Sequence, residues 1–155
     1  MLRYSFMTAT AHALIGAIIA AKIPNPYIAI PLAVISHVAA DIFPHWDSGT
    51  NGESKTKQRL RIEATIDVLL GFLLSYIGIF WLFPNTDPIY TFIIIIASQS
   101  LDWITMPYYF FNIKYPVALW MYKMQKGFNS KLDKPWGIIN QVLVIVFIII
   151  LAKLF

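Results

Sequence analysis

At 155 residues the chain is the size of one domain; it is 58% hydrophobic, and its 13% of charged residues is half the share of about 25% in soluble domains. With a mean hydropathy of +0.64 this excludes an ordinary water-soluble globule and gives an integral membrane protein. Cysteine is absent, which excludes disulfides and thiolate ligands, so any metal must be held by His, Asp or Glu.

Five apolar segments approach the ~20 residues that a spanning helix needs. The first, Thr8 to Ile23, carries His12 and ends at the turn Pro24-Asn25-Pro26. Arg3 followed by an apolar run to Ala21 also has the look of a signal peptide, but a histidine inside that run favours a retained helix. The second segment, Tyr27 to Phe43, closes on Ser36-His37-x3-Asp41 and then Pro44-His45-Trp46-Asp47. On a helix His37 and Asp41 stack on one face, about 5–6 Å apart at Cβ. His45 would extend that face by a turn, although Pro44 favours ending the helix before it. Imidazole nitrogens and carboxylate oxygens converging on one face are a ligand set for zinc, manganese or a similar divalent ion. The plain alternative is a helix end whose polar residues dip into the headgroup layer.

A polar loop, Asp47 to Lys57, contains the turn signals Ser-Gly-Thr-Asn-Gly. The third segment, Gln58 to Phe83, opens with Glu63 and Asp67 four residues apart, and Pro84 to Pro88 closes it. The fourth, Ile89 to Phe111, carries Asp102. In residues 112–133, Tyr115, Leu119, Met121 and Tyr122 alternate with Lys114, Lys123 and Lys126, the pattern of an interfacial amphipathic helix. The fifth segment, Pro135 to Phe155, is uncharged until Lys153. The expected fold is therefore an all-α, polytopic membrane bundle in one domain, with about five transmembrane helices and one interfacial helix. A weak likeness between 8–44 and 58–111, which pairs Asp41 with Asp102, suggests a duplicated hairpin.

Nine Lys and Arg lie in the loops after the second and fourth segments, from Lys55 to Arg61 and from Lys114 to Lys134, whereas the opposite loops hold only Lys22. This places the N-terminus in the cytoplasm and the C-terminus outside. It also assigns the net charge of +4 to topology and anionic lipid rather than to nucleic acid. Trp46, Trp103, Trp120 and Trp136 read as an interfacial belt.

His12, His37, Asp41, Glu63, Asp67 and Asp102 all lie inside apolar segments, where an ionisable side chain costs about 2.5–3.5 kcal/mol on insertion scales. All six fall near the cytoplasmic ends of their segments, a shared depth that scattered accidents would not produce. His12, His37, Asp41 and Asp102 are the metal-ligand candidates, and Glu63 and Asp67 are the candidate general bases. The structural alternative for Glu63 and Asp67 is pairing with Arg59 or Arg61. His45 and Asp47 sit at the rim, where solvated polar residues are ordinary, and are weaker ligand candidates.

Thr10-Ala11-His12-Ala13-Leu14-Ile15-Gly16, Ser36-His37-x3-Asp41 and Pro44-His45-Trp46-Asp47 resemble a family of small bacterial inner-membrane, metal-dependent hydrolases of the LexA-regulated kind. The likeness covers the first third of the chain. It implies a metal site at His12, His37 and Asp41, with His45 and Asp47 as further positions, in a bacterial inner membrane. The chain departs from that pattern in lacking a later Arg-Gly-x-Thr-His element and any histidine after position 45. Either Glu63, Asp67 and Asp102 complete the site, or the likeness is to the scaffold alone.

The expectation is a membrane-embedded hydrolase using a divalent metal ion at the cytoplasmic interface, on a lipid or isoprenoid ester or phosphoester. Its expected partners are membrane lipids, a lipid-like substrate and a second copy of the chain. Two rival readings are a transporter relaying protons or divalent ions, and a non-catalytic scaffold. Polar residues at one depth count against a path across the membrane, unless a dimer supplies it.

Overall fold

The computed structural model describes residues 8–51, 54–128 and 130–155, so Arg3 and Gly52 of the features above lie outside the described residues. Six helices follow in order: α1 (Ala9–Lys22), α2 (Pro26–Ile42), α3 (Lys57–Leu82), α4 (Pro88–Phe111), α5 (Pro116–Phe128) and α6 (Trp136–Leu154). There is no β-strand among the described residues, only a single bridge between His45 and Lys131.

The helix limits follow local chemistry. The side chains of Thr8, Asn25, Thr56 and Asp87 accept the first free N–H groups of α1 to α4, with Pro26 and Pro88 at the opening of α2 and α4. α2 stops at Ile42 because Phe43 precedes Pro44 and takes an extended conformation. α4 ends on Asn112, whose φ of 57° is left-handed and whose N–H returns to the carbonyls of Pro107 and Tyr108.

Three helices are long and apolar enough to cross a membrane: α3, α4 and α6. This is fewer than the five expected, because α1 and α2 have only 14 and 17 residues. The Pro24-Asn25-Pro26 turn and Pro44 leave them no room to grow. Large apolar side chains are exposed along α2, α3, α4 and α6, from Ile28 and Ile35 to Leu73, Ile77, Leu143 and Phe147. A surface of this kind needs hydrocarbon around it.

α1 is the axis of the bundle. It packs on α2, α3, α4 and α6, while α3 and α4, although neighbours in sequence, touch each other little. Small residues make this packing close. A Cβ at Gly16 would lie 2.6 Å from Ser98 Oγ and 3.2 Å from the Ile94 carbonyl, so α1 meets α4 where no larger residue fits. Two apolar clusters run along the bundle, one from Ala11 and Ala40 beside the histidine cluster through Ile15, Ile19, Ala29, Ala33 and Ile94, the other through Ala13, Ala17, Ile79 and Ile95.

Long-range hydrogen bonds fix the directions of the helices. At one end Gln99 Nε2 donates to the Ala9 carbonyl, and Thr8 Oγ1 donates to Gln141 Oε1. At the other, Tyr90 donates to the Ile23 carbonyl, Lys22 and Lys153 both lie over the Phe83 ring, and Lys153 Nζ donates to the Leu82 carbonyl. α1, α2, α3, α4 and α6 therefore alternate in direction. α5 stays at the first end, against α4 and α2. Its face of Ala118, Met121 and Gln125 is buried, while Trp120 is exposed.

Candidate metal centre

His12 enters the centre from α1, His37 and Asp41 from one face of α2, and Asp102 from α4. His12, His37 and Asp41 are at most 1% exposed, and the Asp102 side chain is 18% exposed. The imidazoles of His12 and His37 lie face to face, with centroids 3.8 Å apart and planes 5° from parallel.

The bonding of His37 decides what the cluster can hold. Its Nδ1 lies 2.7 Å from the Ser98 carbonyl oxygen, which can only accept, so Nδ1 carries the hydrogen. In the neutral ring this turns the Nε2 lone pair toward Asp102 Oδ1 at 3.4 Å and Asp41 Oδ2 at 3.5 Å. His12 Nε2 lies 3.4 Å from Asp41 Oδ1. These separations exceed the ~2.7–2.9 Å of a charge-assisted hydrogen bond. Ligand atoms of His12, His37 and Asp102 all lie within 4.8 Å of one another, so this group could hold a metal ion. The Nδ1–H···O=C bond that orients His37 is the outer-shell contact usual for a metal-binding histidine.

Ser98 ties the arrangement together. Its carbonyl fixes the His37 ring, and its hydroxyl donates to the backbone carbonyl of His12, so one residue orients the His37 ring and ties the α1 backbone at His12 to α4. Gln125, reaching in from α5, donates from Nε2 to Asp102 Oδ1 at 3.0 Å and comes within 3.4 Å of His37 Nε2. It is 1% exposed. A glutamine on an amphipathic lysine-rich helix carries no sequence signal of a site. Its place on the Ala118–Met121–Gln125 stripe is the one hint.

The other expected residues are used differently. Asp67 accepts from the backbone N–H of Ala9 (2.7 Å) and of Thr10 (3.1 Å) and from Thr10 Oγ1 (2.7 Å). It thus caps the start of α1 from α3, and pairs with neither Arg59 nor Arg61 as the structural alternative had it. Glu63 pairs with Lys55 Nζ at 2.7 Å and Arg59 Nε at 2.8 Å. His45 does not extend the face of His37 and Asp41. The helix ends before it, and its backbone bonds Ser130 and Leu132. Its Nδ1 donates to the Phe43 carbonyl at 2.7 Å. Asp47 accepts from Thr50 Oγ1 at 2.6 Å and lies 3.9 Å from Lys131 Nζ. Both are at most 1% exposed rather than solvated at a rim, because residues 130–132 cover them. Beyond them Asp133 accepts from the Lys134 N–H and from Asn51, which hold its carboxyl below the usual range.

A cleft of about 480 Å³ reaches the cluster between α3 and α4. Asp102, Asp67, Thr65, Arg61 and Ser48 give it polar points, and the rest of its wall is apolar. Trp103, of the expected belt, stands in this wall and donates to Gln99. Trp120 and Trp136 are exposed, and Lys134 lies 3.7 Å over Trp46.

Comparison of the chain with protein-family models, curated proteins and solved structures finds no match.

Proposed function

We propose that this chain is a membrane-embedded, metal-dependent hydrolase with its reaction centre at the cytoplasmic end of a five-span bundle. The observation that carries the reading is the convergence of His12, His37, Asp41 and Asp102, from three helices, at the inner end of a cleft rimmed by exposed apolar side chains. In this reading α1 and α2 also span, as inner helices whose ends meet a locally thinned polar layer, and α5 lies at the interface. Lys and Arg asymmetry favours the N-terminus in the cytoplasm and the C-terminus outside, and the resemblance implies the inner membrane of a bacterium.

His12, His37 and Asp102 would hold the ion, zinc or manganese by donor type. When bound, it supplies an activated water and a polarised ester or phosphoryl oxygen. Asp41 is the general base that the geometry favours: it stands beside both imidazoles, at 3.4 and 3.5 Å. A proton taken at its carboxylate can pass to His12 Nε2. This replaces the role expected for Glu63 and Asp67, whose oxygens are taken up by Lys55 and Arg59 and by the start of α1. Ser98 and Gln125 orient His37 and Asp102. The substrate would be an ester or phosphoester of a lipid or isoprenoid, since the cleft offers an apolar wall beside the cluster.

The test is turnover of a panel of lipid esters and lipid phosphates by purified protein, before and after chelation and metal return. Hydrolysis that is lost on chelation, restored by zinc or manganese and absent in Asp41→Asn and His37→Ala supports the reading. Turnover indifferent to chelator and to both substitutions contradicts it.

A further inference from the structure

The buried cluster meets the outside at one place. His12, His37 and Asp41 are at most 1% exposed, whereas Asp102 is 18% exposed and lines the α3–α4 cleft. The rim of that cleft is Leu69 (64% exposed), Trp103 (42%), Met106 (39%) and Phe111 (57%). Side chains of this kind face hydrocarbon, so the mouth opens sideways into the bilayer. A volume of about 480 Å³ lies within the ~300–1,000 Å³ of small-molecule sites.

Arg61 also lines the cleft. Its guanidinium is steadied by the Phe110 carbonyl at 2.5 Å and by the Phe111 ring, 5.0 Å from the centroid. No carboxylate pairs with it among the described residues, in contrast to Arg59, which has Glu63. One N–H of a five-donor fork is used, and a planar fork is the shape that takes phosphate in two bonds. The two cleft carboxylates are not equivalent competitors: Asp67 is covered by the donors of Ala9 and Thr10, and Asp102 faces His37 and Gln125. Arg61 precedes Leu69 by eight residues, about 12 Å along the helix, and it lies on the side of the basic loops. The charged point is thus at the interface and the apolar wall runs inward, the same polarity as a lipid in its leaflet.

We propose that the α3–α4 cleft admits from the bilayer an amphiphile with an anionic, phosphate-type head, its charge held by Arg61 and its chain lying along Val68, Leu69 and Met106. That this amphiphile is the substrate rests on the hydrolase reading; that it binds does not.

The test uses the full-length protein in zwitterionic nanodiscs and dodecylphosphonate carrying a diazirine on its chain. The carbon–phosphorus bond of this probe resists hydrolysis, so binding is measured whether or not the protein is an enzyme. Mass spectrometry after illumination is expected to find adducts concentrated on the cleft faces of α3 and α4. Unlabelled dodecylphosphonate should compete, and dodecyltrimethylammonium and inorganic phosphate should not. Arg61→Gln should weaken binding about tenfold or more, Arg61→Lys less, and Lys57→Gln, an exposed cation outside the cleft, not at all. Adducts spread over α2 and α6, equal competition by the cationic amphiphile or by inorganic phosphate, or unchanged binding in a folded Arg61→Gln protein would each overturn the proposal. Cleft binding without turnover of any lipid phosphate would sink the hydrolase reading and leave this one standing. Turnover with the probe bound elsewhere would do the reverse.

Discussion

Two sheltered carboxylate sites lie at the same end of this bundle, and their surroundings are opposite. Asp67 is met by donors: two backbone N–H groups and a threonine hydroxyl point at its oxygens. Asp41 and Asp102 meet a ring nitrogen whose hydrogen is on its other side, at 3.5 and 3.4 Å. The first arrangement is electrically complete, because the positive end of α1 and three hydrogen bonds balance the charge. The second gathers two imidazoles and two carboxylates, with one side-chain donor from Gln125, and its His12, His37 and Asp102 could hold a metal ion. Burial alone therefore does not separate a capping carboxylate from a candidate ligand; the kind of partner does, backbone N–H groups for Asp67 and imidazole nitrogens for Asp41 and Asp102.

The sharpest break of that contrast is in metal binding. His37→Ala and Asp102→Asn should each weaken the divalent ion more than about 100-fold, beyond the ~10–100-fold usual for outer-shell changes, as read by competition with a chelating dye. Asp67→Asn should leave that affinity unchanged. Asp67→Ala should instead lower stability by about 2–3 kcal/mol, because buried N–H groups at the start of α1 lose a charged acceptor, seen as a fall in the thermal unfolding midpoint in detergent. Gly16→Ala tests whether the two sites share a frame. Its new Cβ would press on Ser98, which orients the His37 ring and holds the His12 backbone, so a stability loss of about 1–3 kcal/mol should come with a weaker metal. Gln125→Ala should raise the metal Kd about tenfold with little change in unfolding, since it removes one hydrogen bond to a ligand. Smallest of all, Glu63→Gln should change stability by less than about 1 kcal/mol, because its pairs with Lys55 and Arg59 are partly solvated, and metal affinity should not move.

The helices were legible in the sequence to within a residue or two, except for α5, which is shorter than the 112–133 stretch, because Pro24, Pro26, Pro44, Pro88, Asn25 and Asp87 act locally. So were His12, His37, Asp41 and Asp102, since an ionisable residue in an apolar helix stands out by composition. The pairing of Glu63 with Arg59 is an i,i+4 contact and equally readable. The cap by Asp67 was not, because it joins positions 57 and 58 residues apart and depends on how α1 lies against α3. Gln125 and the burial of His45 and Asp47 were hidden for the same reason: each depends on where α5 and residues 130–132 fold back. The length of the inner helices was less legible: apolar character marks α1 and α2 but says nothing of how long they are, and only α3, α4 and α6 are long enough to cross by length alone.

The central claim is that His12, His37 and Asp102 hold a divalent cation, and elemental analysis of detergent-purified protein tests it most directly. About one equivalent of zinc or manganese is expected in the wild type, lost in folded His37→Ala and Asp102→Asn and kept in Asp67→Asn. A wild-type protein that holds no divalent metal even after loading, or variants that all hold the same amount, would contradict it.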